Sequence, residues 1–254
     1  MDLKGKKGVV LGVANDRSIA WSIARVLGQA GARLALTYQG DRLKERVTLL
    51  AGTLEGALVI PCDATDDDQI EAVFSKVREE FGDISFLIHS IAYANREDLA
   101  GNFSETGREG FRIALEISAY SLLPLVKHAA PLMTSGGSVV TMTFHASERV
   151  YPGYNVMGTA KAALEHEVRQ LAFEFGEQGI RLNAISAGPL ETLAARGIDG
   201  FMEMRRHHAE KAALKRNISA DEVANTALFL CSDLSSGITG SVIPVDAGYH
   251  IMAI

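Results

Sequence analysis

A doubly wound α/β sheet is the fold this sequence predicts, and three observations predict it. Short apolar runs alternate with helical periods along the N-terminal half. The positions just after those runs hold small or polar residues, and no composition break or Pro/Ser-rich linker divides the 254 residues. Such alternation signals parallel strands with helices on both faces, and this length suits a single domain, read here as residues 1–254.

The elements follow in order. Residues 8–12 (GVVLG) form an apolar run expected to be a buried strand, 18–29 a helix, and 33–38 and 58–60 two further strands. Over 66–81 the stripe of Ile70, Val73, Phe74 and Val77 marks a helix, and 84–88 (ISFLI) reads as the next strand. Met157, Lys161, Leu164, Val168, Leu171 and Phe175 then recur at spacings of three and four, the period of one helix face. Strands are expected at 138–142, 181–185 and 241–245, and residues 219–222 (SADE) are a capping box opening a helix through Leu230. No repeat occurs at solenoid periods.

Composition narrows the function. With 25 Lys and Arg against 31 Asp and Glu, the net charge of -6 argues against nucleic acid as the partner, because phosphate neutralisation needs clustered basic residues. Two cysteines, Cys62 and Cys231, make no disulfide framework and fit a reducing cytosol. There is neither an apolar signal region nor a run of 18 apolar residues, so a soluble cytoplasmic protein is expected, without membrane or metal.

Sheets of this kind bind ligands beyond the carboxyl ends of their strands. After the first strand comes Gly12, then Ala14, Ser18 and Ile19; this is not a Gly-x-Gly-x-x-Gly turn, but small residues still permit close approach, and a helix start at Ser18 offers amides to a pyrophosphate. An ordinary Ser-capped turn would look the same. The second strand ends at Gln39, neither the acid that marks ribose hydroxyls nor the base that marks a 2′-phosphate, while Arg42 keeps NADPH open. Asp63 and Ala64 follow the third strand, where Asp63 could accept from an adenine amine or merely end a loop. Ser90, Ile91 and Ala92 follow the fourth, preceded by His89, which reads as a packed histidine.

Tyr154 and Lys161 stand seven residues apart, close to two helical turns, and so would share a face. Lys161 occupies a row otherwise meant for burial, where a lysine needs a polar partner from protein or ligand. A neutral phenol beside an ammonium suits a reaction in which negative charge grows on oxygen. A packed ring and a snorkelling stem would also satisfy the spacing.

Taken in order, the turn from Gly12 to Ser18, Asp63, the Ser90-Ile91-Ala92 segment, the Tyr-x6-Lys pair with Met157 between, and residues 183–189 (NAISAGP) resemble the short-chain dehydrogenase/reductase superfamily over nearly the whole chain. Within it the chain is similar to the divergent branch of enoyl-acyl-carrier-protein reductases; most of the superfamily spaces its tyrosine and lysine by four. Residues 37–39, 117–121, 190–194 and 229–234 add further matches.

The resemblance implies a Rossmann-type fold and reduction by NADH, rather than NADPH, of the trans-2 double bond of an enoyl thioester on acyl carrier protein. Tyr154 would stabilise the enolate oxygen and Lys161 would hold the nicotinamide ribose. Ala187, Gly188, Pro189, Leu190 and Thr192 would join the earlier turns around the cofactor. Tyr93, Phe144, Met157, Ala194 and Phe201 would line the substrate pocket with Tyr154, and residues 193–212 would form a flap, for which a polar surface helix is the plainer reading. A homotetramer is implied, with residues 245–252 near an interface.

Two departures stand out. Phe144 occupies the position where bacterial members commonly carry a second tyrosine, so no second hydroxyl acts there and Phe144 shapes the pocket. In the flap, Ile198 is followed by Asp199, Met202 and Glu203 rather than basic residues; Arg205, Arg206, Lys211, Lys215 and Arg216 come later and are either a carrier-protein dock or a solvated face. A carbonyl or alcohol reductase, and an NAD-binding paralogue without turnover, are the alternative functions.

Overall fold

The computed structural model describes residues 1–192, 195, 198 and 200–253. Its strands are β1 (Lys7–Leu11), β2 (Arg33–Tyr38), β3 (Leu58–Pro61), β4 (Phe86–His89), β5 (Gly137–Thr143), β6 (Ile180–Ala187) and β7 (Val242–Val245). All pair in parallel in the order β3-β2-β1-β4-β5-β6-β7, which reverses direction between β1 and β4. The helices are α1 (Ile19–Gln29), α2 (Asp41–Ala51), α3 (Asp67–Phe81), α4 (Arg108–Leu115), α5 (Leu122–Ala129), α6 (Asn155–Phe175), α7 (Phe201–Lys211) and α8 (Ala220–Cys231).

Side-chain alternation divides the interior into two cores. Val10 packs with Ile23 and Leu27 of α1, Val47 of α2 and Ala227 and Leu230 of α8. Its neighbours Val9 and Leu11 point the other way, against Phe74 and Val77 of α3, Leu125 of α5 and Leu164 and Val168 of α6. A strand buried on both faces must be apolar at every position, which is why β1 and β4 read as unbroken runs. The doubly wound expectation holds.

Boundaries moved where backbone bonds lead elsewhere. The strand expected at 84–88 begins at Phe86, because the Ile84 amide donates to the Leu132 carbonyl (2.9 Å) and pairing with β1 starts at Gly8 opposite Phe86. Asp66 caps α3, accepting from the Gln69 amide, and Ser219 and Glu222 form the capping box that opens α8. Three helices have no apolar stripe wide enough to read: α2 buries only Val47 and Ala51, α4 only Gly110 and Ala114, and α7 only Phe201 and His208. The helix α5 does bury a stripe, Leu122, Leu125, Val126 and Ala129, and carries Pro124 in its first turn, where a missing amide breaks no intrahelical bond.

At the point of reversal β1 and β4 leave the sheet side by side. Gly12 has φ +96°, and a Cβ there would lie 2.0 Å from the Ser90 carbonyl oxygen. Only glycine meets both demands. Gly12→Ala is therefore expected to destabilise the fold by roughly 3 kcal/mol or more, read as a lower urea midpoint; an unchanged midpoint would show that the turn can relax.

Candidate active site

Parallel pairing places the residues after β1, β2, β3, β4, β5 and β6 along one edge of the sheet. At the β1 end, the Ser18 hydroxyl donates to the Asn15 carbonyl (2.6 Å), so Ser18 stands at the N-cap of α1 without capping it. The plain Ser-cap reading is thus corrected. The amides of Ile19 and Ala20, in the first turn of α1 after Gly12 and Ala14, have no intrahelical acceptor by geometry. Such amides suit an anion.

Asp63 follows β3 and is held from two sides. Its carboxylate accepts from Gln39 Nε2 (3.0 Å) and from both the amide and hydroxyl of Thr65 (2.9 and 2.8 Å). Burial raises its pKa, but these hydrogen bonds outweigh it and hold the carboxyl below the usual range. Gln39 thus fixes Asp63 as an acceptor at the crevice, with Ala64 half-buried beside it. Arg42 is exposed.

His89 closes β4 and is fully buried between the Thr141 hydroxyl (Nδ1, 2.7 Å) and the Ser121 hydroxyl (Nε2, 2.9 Å). Burial, with the charge of Lys161 beyond it, pushes its pKa down to about 3. It is a neutral packing residue, as the sequence indicated. Beyond it Ser90 and Ile91 are half-buried, while Ala92 and Tyr93 are exposed. The Tyr93 amide donates to Ser118 Oγ (2.9 Å), and Met157 Sδ lies 3.6 Å from the same oxygen. Ser118 belongs to a π-helical turn, Glu116–Tyr120, between α4 and α5. Sequence reasoning gave Ser118 no role; its only signal was the match at 117–121.

The pair at 154 and 161 is arranged differently from two residues within one helix. Tyr154 sits at the N-cap of α6, just before the helix, with φ −116° and ψ −17°. Asn155 next to it has φ +23°, and its side-chain amide donates to the carbonyls of Ala100 and Gly101 (3.1 Å each), tying the loop after β4 to the start of α6. The Tyr154 ring is half-buried against Met157, Leu99, Val156 and Ile198, and stands edge-on to Phe144 at 5.1 Å. Burial pushes its phenol pKa up, so Tyr154 is a neutral donor.

Lys161 is only 4% exposed. Its Nζ donates to the Met142 carbonyl at the end of β5 (2.9 Å). Burial lowers its pKa from 10.5 to about 8, Glu165 partly opposing the fall. Glu165 in turn accepts from the Thr143 hydroxyl (2.6 Å). An ammonium has three donors and one is used here, which leaves two for a ligand at the strand ends.

The β6 end completes the edge. Ala187, Gly188 and Pro189 are buried and Leu190 packs against the α1 core. Gly188 is crowded, since a Cβ would meet His208 Nε2 at 3.1 Å and the Asp246 Cα at 3.3 Å. The Thr192 hydroxyl accepts from the Ala195 amide (3.2 Å) and keeps its own proton to donate. Phe201, at the start of α7, is buried. Ala194 and Asp199 lie outside the described residues, as do Leu193, Arg196, Gly197 and Ile254. Among the described residues, no group of three or more His, Cys, Asp or Glu could hold a metal ion.

A Gly12 turn with room only for backbone, amides at the start of α1, a fixed carboxylate at Asp63 and a buried ammonium with spare donors fit a dinucleotide laid along this edge.

Comparison with known proteins agrees. The family model described as enoyl-(acyl carrier protein) reductase matches residues 12–250. The enoyl-acyl-carrier-protein reductase (NADH) FabI of Bacillus cereus is 51% identical over 252 residues, covering 98% of both chains. The Bacillus subtilis FabI is 50% identical over 253 residues, 99% of this chain and 98% of its own. Among solved structures, the Bacillus cereus enoyl-acyl carrier protein reductase with NADP+ and indole naphthyridinone superposes with a TM-score of 0.98 at 50% identity, over 100% of both chains. The Anaplasma phagocytophilum enzyme in complex with NAD gives 0.96 at 43% identity, over 99% of this chain and 96% of its own. With its edge of cofactor-shaped turns and its Tyr154 and Lys161, the chain belongs to the enoyl-(acyl carrier protein) reductase family.

Proposed function

We propose that this chain reduces the trans-2 double bond of enoyl-acyl-carrier-protein thioesters with NADH, a step of fatty acid biosynthesis. The observation that carries the reading is the combination of a neutral phenol, Tyr154 at the start of α6, with the buried ammonium of Lys161 farther along the same helix, bonded to the end of β5. Bound NADH supplies the hydride for the β-carbon of the substrate. Tyr154 donates its hydrogen bond to the thioester oxygen, and that bond strengthens as the enolate forms, which lowers the barrier. Lys161 uses its free donors on the nicotinamide ribose and adds positive potential near the same oxygen. Asp63 accepts from the adenine amine, and Gly12, Ala14, Ser18, Ile19 and Thr192 surround the pyrophosphate. Ser90, Ile91 and Ala92 pass beneath the cofactor, while Ala187, Gly188, Pro189 and Leu190 pack around the nicotinamide.

Tyr93, Phe144, Met157 and Phe201 form the apolar walls for the acyl chain, with residues 193–212 as the flap. Phe144 holds Tyr154 by its edge contact and supplies no proton. The arginines of the flap region and just beyond have local partners: Arg205 pairs with Glu191, Arg206 with Glu203 (3.9 Å) and Arg216 with Glu222 (2.7 Å). Surface pairs of this kind are worth at most about 1 kcal/mol, so an acidic carrier gains little by displacing them.

Absorbance-monitored NADH oxidation with a trans-2-enoyl thioester tests the reading, run on carrier protein, on coenzyme A, and beside a simple ketone. Turnover of both thioesters is expected, with kcat/KM values within roughly tenfold of each other because the flap arginines are already paired. Turnover of the ketone alone would replace this reading with a carbonyl reductase.

A second copy of the chain covers the outer face of α4 and α6 in this reading, and the homotetramer is the assembly we propose. Phe111 and Tyr120 are exposed there, around a cavity of about 580 Å³ bounded also by Arg108, Arg112 and Glu167, and Phe173 is exposed farther along α6. Glu167 Oε2 is buried without a hydrogen-bond partner, and burial pushes its pKa up to about 7. Such a group calls for a donor from outside the chain. Ile251 and Met252 are a further exposed apolar pair. No helix among the described residues is long and apolar enough to cross a membrane. Both cysteines are free, and burial pushes each thiol up to about 12. A cytoplasmic location suits both facts.

A further inference from the structure

Beyond Phe144 the structure brings together ring side chains from four separate segments. Tyr151 precedes α6, His145 lies in the single helical turn after β5, Tyr249 is in the C-terminal turn, and His208 is in the last turn of α7. Each touches the next. The Tyr151 ring lies 4.7 Å from Phe144, and its hydroxyl is 3.1 Å from His145 Nδ1. His145 meets Tyr249 edge-on at 6.2 Å, and Tyr249 stacks on His208 at 4.5 Å with 17° between the planes.

The series has functional groups at both ends. At one end Phe144 holds the edge of Tyr154. At the other, His208 Nε2 stands against Gly188 of the cofactor turn, on the helix that carries the flap.

None of these four side chains has a part in the chemistry described above. His208 is 2% exposed, and neither ring nitrogen makes a hydrogen bond of full geometry, although the Asn217 side chain, whose Oδ1 is likewise buried and unpaired, lies near enough to interact with it. An aliphatic side chain would fill that space with no polar atom left unbonded, so filling alone does not explain a histidine there. A flat face for Tyr249 does. Stacked and edge-on rings fix relative orientation more tightly than aliphatic contacts, because the favourable geometries are few. Tyr151 is held likewise: burial first, then the phenol of Tyr249 beside it, push its pKa up, so its hydroxyl stays protonated and shares a hydrogen bond with His145 Nδ1.

We propose that His145, Tyr151, His208 and Tyr249 act as one positioning unit that sets the flap helix α7 against the Phe144–Tyr154 wall, and so fixes how tightly the acyl thioester is gripped. The inference rests on the reductase reading. It assigns these residues to substrate grip, with hydride transfer and cofactor binding left to others. The effect should therefore appear in KM for the thioester, while kcat and NADH affinity stay in place.

The test is steady-state kinetics of the full chain with a medium-chain trans-2-enoyl coenzyme A and NADH. Tyr249→Leu, which removes the stacking face, is expected to raise the thioester KM about tenfold or more, with kcat within about threefold and NADH affinity unchanged. Tyr249→Phe keeps the face and is expected to restore KM to within about threefold of the parent. His208→Leu should match Tyr249→Leu, and the double variant should be no worse than either, because both break the same unit. Tyr151→Phe removes a single hydroxyl from a ring that still packs, so it keeps the question open to test if Tyr249→Leu does not fold; a KM raised about threefold or more is expected. An unchanged KM in Tyr249→Leu or in Tyr151→Phe would overturn the proposal, as would additive effects of His208→Leu and Tyr249→Leu. Failure of the parent protein to turn over any enoyl thioester would instead overturn the reductase reading itself.

Discussion

Tyr154→Phe is expected to cut kcat by roughly 10²–10³-fold while NADH affinity stays within about twofold. In the proposed mechanism the phenol is the donor that meets the enolate oxygen, and Phe144 beside it has no proton to substitute. Its ring would survive the change, because phenylalanine keeps the edge contact with Phe144 and the packing against Met157 and Leu99. The loss should thus fall on the chemical step, since a bond made chiefly as charge develops contributes little to ground-state binding. Single-turnover measurement of hydride transfer with saturating cofactor separates the two. An undiminished rate would mean that another group meets the oxygen.

The second large effect concerns Lys161, and it has opposite signs for activity and stability. Burial depresses its pKa from 10.5 to about 8, a difference that corresponds to about 3 kcal/mol held against the charged form in the folded state. Because the unfolded chain binds the proton more tightly, stability should rise with pH between about 8 and 10.5, as this cost is relieved. Lys161→Met relieves it at every pH. The substitution also leaves the Met142 carbonyl without its donor, which costs about 1–2 kcal/mol. A net gain of about 1–2 kcal/mol is expected at pH 7, read in urea, together with a loss of NADH affinity of tenfold or more. A variant less stable than the parent, or one that binds NADH normally, would refute this account.

Much of the scaffold was legible because parallel strands buried on both faces cannot disguise themselves. Val9, Val10 and Leu11 must all be apolar, since neighbours face different cores. The turns after the strands were legible for a related reason: a ligand edge needs small or polar residues where a core would have large ones, as at Gly12, Asp63 and Ser90. The helices α2 and α4 escaped notice because each buries too few side chains to leave a period, while α7 was met only as the polar surface helix that residues 193–212 allowed. Tyr154 was placed within the helix by its spacing to Lys161, although it precedes the first turn; a count of residues does not register where the chain enters a helix. Contacts between distant segments were beyond any local pattern. Ser118 meeting Tyr93 and Met157, the Lys161 bond to Met142, and the rings of Tyr249 and His208 depend on how the sheet is stacked.

The order of the strands also bears on how the protein comes to exist. β1 comes before all its partners; its neighbour on one side, β2, follows after a single helix, yet its other neighbour, β4, follows only after β2, α2, β3 and α3. The edge that holds Gly12 and Ser90 together is closed by that late pairing, and Gly188 arrives later still with β6. A nascent or truncated chain therefore has no miniature version of the pocket and no fraction of the activity. Pairing across such long separations is slow, because loop entropy must be overcome before the contact forms. NADH added to a refolding mixture would bind only to molecules that had finished, making cofactor capture a clock for the final step of assembly.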